Sequence, residues 1–180
     1  MKESTFLLKN KRKAPALLLG LAAVIASHSA IADTQLNITG TIKASPCTIN
    51  VPTGGVNVDL GQSIEASSLI TAGSATAWKP IAIEVNSCPA TTTSATMTLN
   101  GTPDTTETQM YKNTGSATEV QIELQSAAGA SLGNGSTMVQ DIDSKTNGTT
   151  FNMQARAYSS AGKATPGEIN GVVQLSFVYQ

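Results

Sequence analysis

Cys47 and Cys88 are the two thiols of this 180-residue chain, and their pairing decides most of its chemistry. In an oxidising compartment such a pair reads as a structural disulfide, not as a nucleophile or a metal site. Closing a loop of roughly forty residues stabilises a fold by about 4 kcal/mol in the chain-entropy account. Zinc would need more soft ligands than the chain offers. Asp141-Ile142-Asp143-Ser144 has the acidic spacing of a calcium loop but lacks its turn glycine and closing glutamate. Trp78, beside Lys79-Pro80, reads as a packing residue at the start of a strand, ahead of a stacking platform for sugar. No free thiol remains once the two cysteines are bonded, and no paired-carboxylate motif is present, so neither a catalytic residue nor a cofactor is expected.

The one histidine, His28, belongs to a leader. Lys2, Lys9, Lys11, Arg12 and Lys13 form a basic segment, Ala14 to Ala26 an apolar stretch, and Ala30-Ile31-Ala32 a small-x-small cleavage sequence. Residues 1–32 therefore read as a signal peptide; a retained anchor is the weaker reading, since the apolar stretch is short for a bilayer. From Asp33 onward six basic side chains stand against eleven carboxylates, a net charge of about −5. That balance disfavours nucleic acid and anionic membrane surfaces as partners.

The elements that must hold the cysteines are strands. Alternation of period two runs through Thr34–Ile42, Val56-Val58-Leu60, Ile81-Ile83-Val85 and Ala95-Met97-Leu99. It continues through Val120-Ile122-Leu124, Phe151-Met153-Ala155-Ala157 and Val173-Leu175-Phe177-Tyr179. Gly54-Gly55, Asn100-Gly101, Asn134-Gly135, Asn147-Gly148 and Pro166-Gly167 read as the turns between them. A short helical turn fits only Ser63 to Leu69. Seven or so strands with one disulfide predict an all-β sandwich, with Cys47 and Cys88 on adjacent strands near one end. The first alternating segment looks detachable, and the last runs to Gln180. A spare strand at one end and an uncovered edge at the other complement each other.

In combination these features resemble the chaperone–usher fimbrial subunits (pilins). The residues that carry the resemblance are Leu36-Asn37-Ile38-Thr39-Gly40-Thr41-Ile42, Pro46-Cys47-Thr48-Ile49, Val58-Asp59-Leu60-Gly61 and Asn86-Ser87-Cys88-Pro89. To these are added the penultimate Tyr179 and Gly167, fourteenth from the end. Met110 to Gly115 leading into Val120–Gln125 is similar to the minor tip adaptors of type 1 fimbriae. The resemblance implies an incomplete immunoglobulin-like β-sandwich lacking its last strand and completed by donor-strand exchange. Residues 33–45 would be the donor extension and 46–180 the pilin domain. Thr34, Leu36, Ile38, Gly40 and Ile42 would face a neighbour's groove. Gly167, Val173, Leu175, Phe177, Tyr179 and Gln180 would form this subunit's own acceptor groove and chaperone-binding strand.

Partners implied by the resemblance are other pilin subunits, a periplasmic chaperone and an outer-membrane usher, with no nucleic acid and no small-molecule substrate. The route implied runs through the periplasm to a fimbria at the cell surface. In that setting Asn37-Ile38-Thr39, Asn134-Gly135-Ser136 and Asn147-Gly148-Thr149 are strand and turn polarity, not glycosylation sites. A rod pilin is the alternative position. A carbohydrate-binding adhesin is the alternative function, although two-domain adhesins place a lectin domain ahead of the pilin domain. A membrane barrel is disfavoured, because seven aromatics do not furnish two girdles. The extension is expected to lie in the chain's own groove or to project free of the sandwich.

Overall fold

A computed structural model of the chain describes residues 39–41 and 46–180. Thr34, Leu36, Ile38 and Ile42 lie outside the described residues, so the disposition expected for the extension does too; Gly40 is exposed. The described strands are β1 (Thr48–Asn50), β2 (Ser74–Ala75), β3 (Lys79–Asn86), β4 (Ser94–Gly101), β5 (Tyr111–Lys112), β6 (Gln121–Ser126), β7 (Thr137–Asp141), β8 (Thr149–Ser159) and β9 (Val173–Tyr179). One turn of 3-10 helix, Ala66–Leu69, falls where the helical turn was expected.

Two antiparallel sheets face each other. One runs β1-β3-β8-β6-β5, with β2 also paired to β8; the other runs β7-β4-β9. Period-two patterning explains the layering, because alternate side chains of a strand point to opposite faces. Ile83, Val85, Phe151, Met153, Ala155, Ile122 and Leu124 line the inner face of the larger sheet, opposite Ala95, Met97 and Leu99 of β4. Phe151 and Phe177 meet edge to face across the core, ring centroids 5.8 Å apart, a favourable quadrupole geometry. A smaller cluster of Leu69, Ala117, Val120, Ala157 and Ala164 packs under the 3-10 turn.

Two expectations from the pattern need correcting. Val56-Val58-Leu60 is not a strand: residues 55–61 have no regular pairing, and Val56 and Val58 are exposed. Alternation reports which side chains suit a half-buried pleat, but a strand also requires a neighbouring backbone. Asn100-Gly101 is not a turn either, because both residues belong to β4. A Cβ on Gly101 would come within 2.7 Å of the Tyr111 ring, so the glycine is there for close packing. The separate turn at Asn134-Gly135, ahead of β7, packs against it: the Asn134 side-chain oxygen accepts a hydrogen bond from the Gly101 amide at 2.9 Å.

Cys47 and Cys88 are bonded, with Cα atoms 4.3 Å apart. They sit just outside the paired ends of the adjacent strands β1 and β3, where Thr48 faces Asn86. In that register Cys47 would face Ser87. Ser87 adopts a left-handed φ of 54°, and the chain beyond it brings Cys88 across. The Cys88 amide is fixed by donating to the Asn147 carbonyl at 2.9 Å.

Candidate functional site

The last strand is built differently from its neighbour. Along β4 the inward residues Ala95, Met97 and Leu99 are 0% exposed. Their partners on β9, Tyr179, Phe177 and Leu175, are only half-buried, and so is Val173, which pairs with Gly101. Sizes are complementary across the ladder, the aromatic Tyr179 lying opposite Ala95 and Phe177 opposite Met97. What β9 lacks is cover on its other side. Among the described residues it pairs with β4 alone, so one edge presents unsatisfied backbone groups.

That edge borders a groove of about 1060 Å³. One wall is β9 with residues 167–171, and the other is Ile49, Val51 and the irregular segment 55–62. Its floor is the inner face of the larger sheet, including Ile81, Ile83, Leu124 and Met153. At ~3.3 Å per residue the seven residues of β9 give it a length of about 23 Å. A trench of that length with an apolar floor, beside an unpaired strand edge, has the dimensions of a missing strand. The exposed Val56 and Val58 sit on the rim that such a strand would cover.

Of the residues assigned to an acceptor groove, Gly167, Val173, Leu175 and Phe177 line this trench together. Gly167 is pressed against the backbone at Ala117, leaving no room for a Cβ. Tyr179 is not among the lining residues; its ring stacks on Phe177, centroids 6.4 Å apart and 9° from parallel. Gln180 is held elsewhere: its carbonyl accepts from the Thr93 and Ser94 amides at 2.6 and 3.0 Å and from the Thr93 hydroxyl at 3.2 Å. Sequence reasoning missed Tyr111, which lines the groove from β5. Its only signal was a single aromatic beside Met110, too little to place it.

Burial pushes the Tyr111 phenol up to about 12 and raises that of Tyr179. An unfolded tyrosine ionises near 10. The Tyr111 shift therefore contributes stability that is fully present below pH 10 and is lost as the pH rises toward 12, and the Tyr179 shift acts in the same direction. Tyr111→Phe is expected to flatten that loss, read as a smaller drop in urea midpoint between pH 8 and pH 11. An unchanged drop would place the titration elsewhere.

Outside the groove, Trp78 lies across from β8 with its face covered by Arg156, whose guanidinium carbon is 4.2 Å from the ring centroid. The Arg156 Nε donates to Glu123 at 2.6 Å. The ring is thus occupied by a cation–π contact, in keeping with a packing role. Asp143 accepts from the Lys145 amide at 2.8 Å and so caps a turn.

The family model for fimbrial proteins matches residues 36–180. Protein FimG of Escherichia coli K12 is 36% identical over 162 residues, covering 88% of this chain and 94% of that protein. The S-fimbrial adhesin protein SfaS of E. coli O6:K15:H31 is 34% identical over 169 residues, covering 94% and 99%. Among solved structures, the P pilus rod subunit PapA superposes with a TM-score of 0.62 at 19% identity, over 76% of this chain and 100% of that one. A chaperone–usher pilus structure gives 0.62 at 21%, over 83% and 97%; both support the fold, an immunoglobulin-like sandwich. With the family model spanning nearly all of the described residues, the chain belongs to the fimbrial protein family and is a fimbrial subunit.

Proposed function

We propose that this subunit polymerises by donor-strand complementation, as a minor or tip-adaptor component of its fimbria. The observation that carries the reading is the half-buried inward row of β9 beside an edge with no partner. An extended segment entering there completes the ladder and buries its alternate side chains, the usual energetics of strand addition. The segment 33–45 has the right make-up to do the same for a neighbour. Burying Leu36, Ile38 and Ile42 would contribute roughly 1.5–3 kcal/mol each. Gly40 between them suits close backbone approach. In this reading residues 1–32 direct export, a periplasmic chaperone fills the groove first, and an outer-membrane usher is where exchange occurs. The role is structural, not catalytic.

The test is Gly40→Leu in a strain that assembles the fimbria. Gly40 belongs to none of the described strands. The variant is therefore expected to keep wild-type subunit levels while its incorporation into fimbriae falls at least tenfold, read by immunoblot of sheared fimbriae. Normal incorporation would exclude residues 33–45 as the donor.

A second reading, as an adhesin, draws on the similarity to SfaS, a protein of comparable length that carries an adhesin name. Domain size therefore does not separate the two readings. Glycan-array binding by the purified chain would favour the second.

A further inference from the structure

Residues 167–171 form part of one groove wall, yet they belong to none of the described strands. Their backbone groups must therefore be satisfied by something other than a ladder. The loop after β5 supplies the partners, and one side chain in it, Asn113, makes four of the bonds. Its Oδ1 accepts from the Gly115 amide at 2.9 Å and from the Asn170 amide at 2.8 Å. Its Nδ2 donates to the Ala117 carbonyl at 2.8 Å and to the Glu168 carbonyl at 3.3 Å. Both donors and both acceptor sites of the amide are used, two within its own loop and two across to the wall. Around this hub the Thr114 amide donates to the Asn170 carbonyl at 2.8 Å, and the Ser116 hydroxyl accepts from the Glu168 amide at 2.9 Å. The loops meet backbone to backbone, since a Cβ on Gly115 would collide with the Glu168 carbonyl. Ile169, between the two anchored residues, packs on both hydrophobic clusters. Val173 opens β9 three residues after Asn170.

We propose that Asn113 is a positioning residue for strand docking. It fixes residues 168–170 as a preformed wall of the groove and so sets where the open edge of β9 begins. The inference rests on the donor-strand reading above. Asn113 does not itself line the groove. It acts by sparing the docking step the cost of ordering the wall, which is the advantage of preorganisation. Aspartate has the same shape but, when ionised, offers acceptors only.

The test measures binding of a fluorescent peptide of residues 33–43 to the full chain, wild type and Asn113→Asp, refolded without a partner. At pH 7.5 the variant is expected to bind about tenfold more weakly, because a charged oxygen then faces the Ala117 and Glu168 carbonyls. At pH 3.5, below the ordinary aspartate pKa of about 3.9, protonation returns one donor. The deficit against wild type at that pH is expected to shrink to less than about threefold. Lys112 and Glu168, the charged groups nearest Asn113 in its own loop and in the wall, are present in both proteins, so the wild-type profile accounts for their titration. Hydrogen exchange at the Asn170 and Glu168 amides is expected to quicken in the variant at pH 7.5, while exchange in β8 keeps its wild-type rate. Wild-type affinity at pH 7.5, a deficit that persists at pH 3.5, or equally quickened exchange in β8 would overturn the inference and leave strand docking intact. A peptide that binds neither protein would sink the docking reading, and the inference with it. If Asn113→Asp fails to fold, Ser116→Ala decides, since it removes only the hydroxyl bonded to the Glu168 amide. Binding weakened about threefold at an unchanged melting temperature supports the proposal; wild-type affinity overturns it.

Discussion

Replacing both Cys47 and Cys88 by serine is expected to lower the unfolding free energy by about 4 kcal/mol, a fall in melting temperature of roughly 14 °C. The bridge closes a sequence separation of 41 residues, and both half-cystines are buried. Most of the effect comes from the unfolded chain, which regains the freedom that the loop denied it. The folded side contributes as well, because β1 is a three-residue strand that, among the described residues, pairs with β3 alone. Without the bridge β1 frays, and the wall of the groove that includes Ile49 frays with it. Denaturant titration of oxidised wild type against the double variant provides the measurement. A loss below about 1 kcal/mol would mean that packing alone holds β1 in place.

Phe177→Ser is expected to have the largest effect on the subunit's fate. The ring meets Phe151 edge to face and stacks on Tyr179, so it is the centre of the aromatic contacts between β9 and the core. Truncating a buried phenylalanine costs about 3–5 kcal/mol, and the half-buried setting of Phe177 puts it at the low end. The serine hydroxyl would also break the apolar surface that an entering strand must wet. Subunit levels in the cell should fall several-fold, since a change of this size shifts the population open to proteases. Val178→Ser is the control: Val178 is the next residue, but it faces outward and is 57% exposed. Wild-type levels for Val178→Ser beside depleted Phe177→Ser would tie the loss to the inner face. Equal depletion of both would tie it to the strand's backbone instead.

Much of this architecture was legible in the chain. Alternation placed β3, β4, β6, β8 and β9, because in each the inner face is more buried than the outer one. The same signal failed at Val56-Val58-Leu60, where the side chains alternate but the backbone has nothing to pair with. The two-residue strands β2 and β5 escaped notice because no period can be read from two positions. Asn100-Gly101 misled for a different reason. Its glycine answers to the ring of Tyr111, ten residues further on, and only the folded chain brings the two together. Four of the residues expected in the groove line it, whereas Tyr179 and Gln180 secure the end of β9 against its own sheet.

The position of the disulfide also sets the subunit's behaviour under tension. If neighbours are joined through residues 33–45, a pull along the fibre enters the domain at Pro46 and meets Cys47 at once. The bridge carries that force past β1 to Cys88, in the loop between β3 and β4, whose amide is tied to Asn147. β1 is therefore spared from unzipping one bond at a time. The chain between the cysteines, a separation of 41 residues, cannot be drawn out either, which withholds about 140 Å of contour length. An oxidised subunit would yield only by losing its grip on a neighbour's strand or by unravelling beyond Cys88. A reduced one would stretch first from its N-terminal edge.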